Sequence, residues 1–253
     1  MAEQISHKIY NLCIETYESN EFASKCFSSK PSFEKEKKIG KIFGFITIES
    51  SDEKIFDFVN FIIEQIKWHY YSHFKNEEDL SYSAINIEDG LEATLQKINV
   101  DIFAYLEKEK ISIILKNIHI LMGVIRGNQI CFSTLGKINA YLFHFRKNNS
   151  YQIINVYENI SVSDDINPLK FFTQTISGQI SFSDSMFFCT SNILDYMSLE
   201  KLKKIITQND SSEAGRYLKT ILSSINMPKH FIFSIVSVQK NPHHLKSIAS
   251  IYN

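Results

Sequence analysis

Hydrophobic periodicity changes once along this chain, and that change constrains the fold more than any other feature. Ile55, Phe58, Val59, Ile62, Ile63, Ile66 and Tyr70 recur at three- and four-residue spacing, and Leu91, Leu95, Ile98, Ile102 and Tyr105 or Leu106 repeat the pattern. Such spacing lines one face of a helix, so two consecutive amphipathic helices are expected. Asn86 with Asp89 three residues on reads as a capping box at the start of the second. Beyond these helices the pattern shortens. Residues 118–125, 129–135, 138–145 and 151–157 are apolar, partly β-branched runs of strand length. Gly127-Asn128 supplies a two-residue hairpin turn and residues 147–150 (Lys-Asn-Asn-Ser) another. Helices grouped apart from a meander of antiparallel strands define an α+β layered domain.

The flanking segments extend this order. Ile42, Phe43, Phe45, Ile46 and Ile48 around Gly44 read as a buried strand over residues 41–49. Two more strands are expected near residues 171–180 and 186–190, and a last one over 231–238. Between them lie two helices, 199–206 and 211–225, the second with Asp210 and Glu213 as a box and Leu218, Ile221, Leu222 and Ile225 as its stripe. At the N-terminus Tyr10, Leu12 and Ile14 alternate with polar positions, giving a strand near residues 9–17, followed by a polar loop to Lys38. With only 4 Pro and 8 Gly and no linker-like stretch, one large domain over residues 39–239 is expected, between an N-terminal segment (1–38) and a C-terminal tail (240–253).

Composition excludes several classes of function. A net charge of -1 gives no overall field toward DNA, RNA or anionic lipid, and the 20 Phe sit at strand and helix spacing, as core does, rather than as a base-stacking platform. Cys13, Cys26, Cys131 and Cys189 are scattered, with no CxxC pair, so a disulfide framework is not expected and a reducing, cytoplasmic setting is. No apolar run reaches the ~18 residues of a spanning helix, and the N-terminus lacks a signal-peptide pattern. Gly123, Gly127 and Gly136 form neither GxGxxG nor GxxxxGK[ST], and no Gly-x-Ser-x-Gly elbow surrounds Ser191. His69 and His73 stand four apart, half of a zinc site without a recognisable third ligand, and His243-His244 reads as exposed tail.

Two segments carry a resemblance. One is Val124-Ile125-Arg126-Gly127-Asn128-Gln129-Ile130 running into Leu135-Gly136-Lys137-Ile138-Asn139-Ala140-Tyr141-Leu142; the other is Met186-Phe187-Phe188-Cys189-Thr190-Ser191-Asn192-Ile193-Leu194-Asp195. In this order and spacing the chain resembles the PPM-type metal-dependent protein phosphatases over about residues 39–239. The resemblance implies a four-layer αββα sandwich of two antiparallel sheets. It also implies a pair of divalent metals between the sheets, held by aspartates at strand ends, whose bridging hydroxide attacks phosphorus.

The metal motifs are where this chain departs from the family. The Asp-Gly pair that follows a strand resembling Phe43-Gly44-Phe45-Ile46 is matched by Thr47 and Ile48. Gly136-Lys137-Ile138-Asn139 stands where Gly-Asp-Ser-Arg precedes Ala-Tyr-Leu. Ser191-Asn192-Ile193 stands in place of Asp-Gly-Leu, and Lys229-His230 in place of Asp-Asn. Hard cations need anionic oxygens, so degenerate positions at Thr47, Ser191 and Lys229 imply a pseudophosphatase with no metal cofactor and no catalytic residues. Its expected role is regulatory or scaffolding, binding a protein or small ligand, with Glu49, Lys137, Ser191 and Lys229 as cleft contacts. The alternative is a divergent Ser/Thr phosphatase that holds magnesium or manganese through relocated ligands, Glu49 and Asp52. Asp195 matches a family position on the following helix and reads as a capping or exposed acid.

Overall fold

The computed structural model describes residues 5–15, 22–74, 86–158, 171–172, 174–225 and 230–240. Ten strands and five α-helices follow one another as β1 (Ile5–Glu15), β2 (Phe22–Ser28), α1 (Phe33–Ile39), β3 (Lys41–Glu49), α2 (Ile55–His73), α3 (Ile87–Glu109), β4 (Ile118–Arg126), β5 (Gln129–Leu135), β6 (Ile138–Phe145), β7 (Tyr151–Asn155), β8 (Ile176–Gln179), β9 (Ser185–Thr190), α4 (Leu199–Gln208), α5 (Ser211–Ser223) and β10 (His230–Lys240). They build two five-stranded sheets. Sheet A has the order β1-β10-β9-β6-β7 and sheet B the order β2-β3-β4-β5-β8. Every pairing is antiparallel.

Strand alternation sorts the apolar residues into three buried layers. On the outer face of sheet B, Ile42, Ile46, Ile120, Met122 and Val124 pack against Phe58, Ile62, Ile66, Leu91 and Ile98 of α2 and α3. On the outer face of sheet A, Phe187, Phe231 and Phe233 pack against Leu202, Leu218 and Leu222 of α4 and α5. Between the sheets lie Phe43, Phe45, Leu121, Phe132, Phe188, Ile232 and Val236. Phe188 of sheet A meets two aromatics of sheet B there, with ring centroids 4.8 Å from Phe132 and 5.9 Å from Phe43. The result is the four-layer αββα sandwich that the resemblance implies.

Close approach of β3 and β4 requires glycine at its centre. A Cβ at Gly44 would fall inside the Leu121 carbonyl, and one at Gly123 inside the Phe43 ring. Helix starts follow the expected caps: Asn86 accepts from Glu88 N–H, and Asp210 Oδ1 from the N–H groups of Ser212 and Glu213. At the Gly127-Asn128 turn only Gly127 takes a positive φ, 58°, as in hairpin turns with Gly at the first central position.

The N-terminal segment differs from its sequence reading. β1 pairs with β10 over its whole length, as an 11-residue strand beginning at Ile5. Part of the expected polar loop is β2, paired with β3, and part is α1. β2 escapes recognition because it is an edge strand in which Ser24, Lys25 and Ser28 dilute the apolar Ala23 and Phe27. α1 is short and charged, begun by Ser32 and stopped at Gly40, whose φ is 80°. Within 171–180 only Ile176–Gln179 is strand. His243-His244 lies outside the described residues. His69 does not wait for a metal: its Nε2 lies 2.6 Å from Asp101 Oδ2, joining α2 to α3, while the His73 ring meets Phe74 edge-on.

Candidate functional site at the mouth between the sheets

The ends of β3 and β9 and the starts of β4 and β10 meet at one mouth of the sandwich, where the resemblance would place metals. Register sets a polar row across sheet B here: Ser24 pairs with Thr47, and Thr47 with His119. By alternation these three continue the inward-facing set of Phe45 and Leu121, so they face sheet A. Thr47 is 3% exposed and its Oγ1 accepts a 2.7 Å hydrogen bond from Ser24 Oγ. His119 Nδ1 accepts the backbone N–H of Lys137 at 3.0 Å, which leaves the neutral ring's proton on Nε2. Gly136, with φ 75°, makes that contact possible; a side chain there would strike the Ile118 carbonyl and the His119 ring.

Sheet A contributes His230, Thr190 and Cys13. The His230 ring is buried and stacks on Phe22 of sheet B, with centroids 4.9 Å apart and planes 9° from parallel. Its Nε2 lies 3.1 Å from Cys13 Sγ. Asn192 ties the neighbouring chain together, donating Nδ2 to the His230 carbonyl and accepting the Thr190 hydroxyl at 2.7 Å. Burial, with His119 nearby, pushes the His230 imidazole down to about 4. Burial and then the Lys137 charge lower that of His119. Desolvation disfavours the imidazolium, so both rings are neutral at pH 7 and the mouth carries little charge.

Among the described residues the anticipated cleft contacts sit at different points around this mouth. Glu49 follows Thr47 on the same face of β3 but is exposed at the strand end. Asp52 turns away into the start of α2, its Oδ1 accepting the Lys54 N–H at 2.9 Å. Lys137 reaches the mouth through its backbone while its side chain is exposed. Ser191 is exposed at the first position of a 3-10 turn (Ser191–Asp195) that follows β9, and Asp195 is exposed at its end. Lys229 lies outside the described residues. His119, Ser24, Thr190 and Asn192 were missed by sequence reasoning. His119 alone left a usable signal, since alternation from Leu121 puts it on the inner face.

A pair of magnesium or manganese ions does not fit these side chains. Such ions bind through oxygens, several of them from water, and are anchored to a protein by carboxylates. The sheet B row offers hydroxyls already bonded to one another and an imidazole whose Nδ1 is occupied. Among the described residues no three His, Cys, Asp or Glu are grouped to hold a metal ion.

Two facing antiparallel five-stranded sheets, with a helix pair on each outer face, define the fold of the PPM-type phosphatases. Among solved structures the chain is similar to PppA, a key regulatory component of T6SS in Pseudomonas aeruginosa, at 12% identity and a TM-score of 0.62 over 92% of this chain and 97% of that one. It is similar to the catalytic domain of the serine/threonine protein phosphatase PstP in complex with two manganese ions, at 10% identity and a TM-score of 0.61 over 93% and 100%. RsbX in complex with magnesium matches at 11% identity and a TM-score of 0.54 over 94% and 98%. At these identities the likeness establishes the fold. No protein-family model matches the sequence, and no curated protein matches it.

Proposed function

We propose that this chain is a pseudophosphatase: a PPM-phosphatase-like domain that binds rather than hydrolyses, acting as a regulatory or scaffolding module on a protein or small ligand in the cytoplasm. The observation that carries this reading is the state of Thr47. Where the family has its first metal-binding aspartate, the chain has a buried hydroxyl satisfied by Ser24, beside two neutral imidazoles. A neutral, internally bonded mouth does not compensate the dehydration of two divalent ions. The likeness to PppA, itself named as a regulatory component, agrees with a regulatory role. No helix among the described residues is long and apolar enough to cross a membrane.

The divergent-phosphatase alternative asks Glu49 and Asp52 to converge on shared metals, and Asp52 is engaged at the start of α2. The deciding experiment is manganese titration by calorimetry alongside hydrolysis of p-nitrophenyl phosphate and of a phosphopeptide. The expected result is no stoichiometric binding heat and no chelator-sensitive turnover. Robust turnover abolished by chelator would overturn the proposal.

A further inference from the structure

The layer between sheet A and its helices is apolar along most of its length and turns polar where β9 begins and β10 ends. Ser185 and Ser237 are register partners there, and both face the helices on the same side as Phe187 and Phe233. Ser211, the first residue of α5, closes over them with its hydroxyl 2.6 Å from that of Ser237. These serines floor a cavity of about 460 Å³ whose walls include Tyr151, Phe182, Asp184, Thr207, Asn209 and Asp210. That volume lies within the range of small-molecule pockets. From His230 at the mouth to Ser237 is seven strand residues, roughly 23 Å, so the two places are separate.

The Ser185 side chain points to an occupant. It is 8% exposed, and its hydroxyl has no hydrogen-bond partner among the described residues. That hydroxyl is not enclosed: it opens into the cavity, where it is free to bond a polar group of an occupant. Charge narrows the class. No Lys or Arg is among the lining residues, which disfavours phosphates and carboxylates. Both lining carboxylates already face basic groups: Asp184 lies 3.1 Å from His144 Nδ1, and Asp210 lies 3.3 Å from Lys8 Nζ. Backbone N–H groups bond oxygens of both as well, so neither carboxylate is free to select a cation. What remains is a set of hydroxyls, an amide and carboxylate lone pairs beside two aromatic side chains. This is the chemistry that recognises a molecule with many hydroxyl donors on a carbon frame.

We propose that this cavity binds a small, neutral, polyhydroxylated ligand of monosaccharide size, independently of what occupies the mouth. The test titrates the full chain with glucose, N-acetylglucosamine and myo-inositol, with putrescine and inorganic phosphate as charged comparators. Amide chemical shifts and Tm are the readouts. At least one polyol should shift the amides of Ser185, Ser211 and Ser237 saturably and raise Tm by ~3 °C near saturation. Ser185→Met, which fills the floor, should weaken that binding ~10-fold or more. Thr207→Val, which removes a wall hydroxyl at nearly constant volume, should weaken it less, and decides the matter where Ser185→Met does not fold. No response to any of the three polyols would overturn the proposal. So would putrescine or phosphate shifting the same amides instead, or unchanged affinity in a folded variant.

Discussion

The two ends of this sandwich handle polarity in opposite ways. At the mouth the polar groups are hydroxyls, amides and neutral imidazoles bonded to one another or to neighbouring backbone. At the far end the carboxylates remain, and each has a basic neighbour. His7 faces Glu36 at 3.0 Å while its Nε2 reaches the Gly127 carbonyl at 2.7 Å; Lys8 faces Asp210, and His144 faces Asp184. The acids this chain keeps are therefore ones that hold backbone and bind strands to helices. One end is a packed polar plug and the other an electrostatic clasp.

The sharpest way to break this contrast is to remove one member from each end and compare stabilities. Asp184 is 2% exposed and accepts N–H groups from Phe145 (2.8 Å) and Ser181 (3.1 Å) besides facing His144. Asp184→Ala leaves those donors unpaired in a buried turn, so it should cost about 4 kcal/mol. Thr47→Val at the mouth removes one neutral hydroxyl pair and should cost about 1 kcal/mol. Urea unfolding of the two variants reads the difference directly, and equal losses would mean that the ends are not distinct.

Acid separates the ends by pH window. The His230 imidazole, ordinarily near 6.5, sits at about 4 in the folded chain. Above about pH 6.5 it is neutral in both states, and its full contribution to stability is present. As pH falls from there toward about 4, the unfolded chain takes up a proton that the folded chain refuses. Stability is lost at up to about 1.4 kcal/mol per pH unit, and His119 acts in the same direction. At the far end the Glu36 carboxyl is lowered, first by its hydrogen bond to His7, from an ordinary 4.5. Its contribution is present above that value and lost as pH falls through the folded one. Unfolding measured from about pH 7 to about pH 5 should therefore weaken through the mouth first. His230→Gln should flatten that slope, while Glu36→Gln should change the profile only below about pH 4.5. A slope untouched by His230→Gln would remove the imidazole from the account.

The sequence made some of this contrast legible and hid the rest, for physical reasons. Stripes such as Ile55 to Tyr70 and runs such as Ile42 to Ile48 announce elements because each is buried on a face that its own spacing repeats. The departure from the family's metal motifs is read from the sequence because a motif position is local: Thr47 comes directly after Phe43-Gly44-Phe45-Ile46 whatever the fold does. The constellation at the mouth was not legible. Ser24, Thr47 and His119 become neighbours only through strand register, and His230 meets Phe22 only across the gap between two sheets. The far-end serines at 185, 211 and 237 come from two strands and a helix, and no spacing links them.

The smallest expected effect sharpens what kind of clasp the far end is. Lys8 and Asp210 lie 3.3 Å apart, but their side chains are 43% and 39% exposed, so water screens the attraction and both chains lose freedom in making it. Lys8→Ala should change stability by less than about 0.5 kcal/mol. Asp210→Ala removes the same pair and also the cap that accepts the Ser212 and Glu213 N–H groups, so it should cost about 1 kcal/mol. If urea unfolding gave Lys8→Ala the larger loss, the ion pair and not the helix cap would be what fastens α5 to β1. That seam would then be held by charge attraction, as the mouth is not.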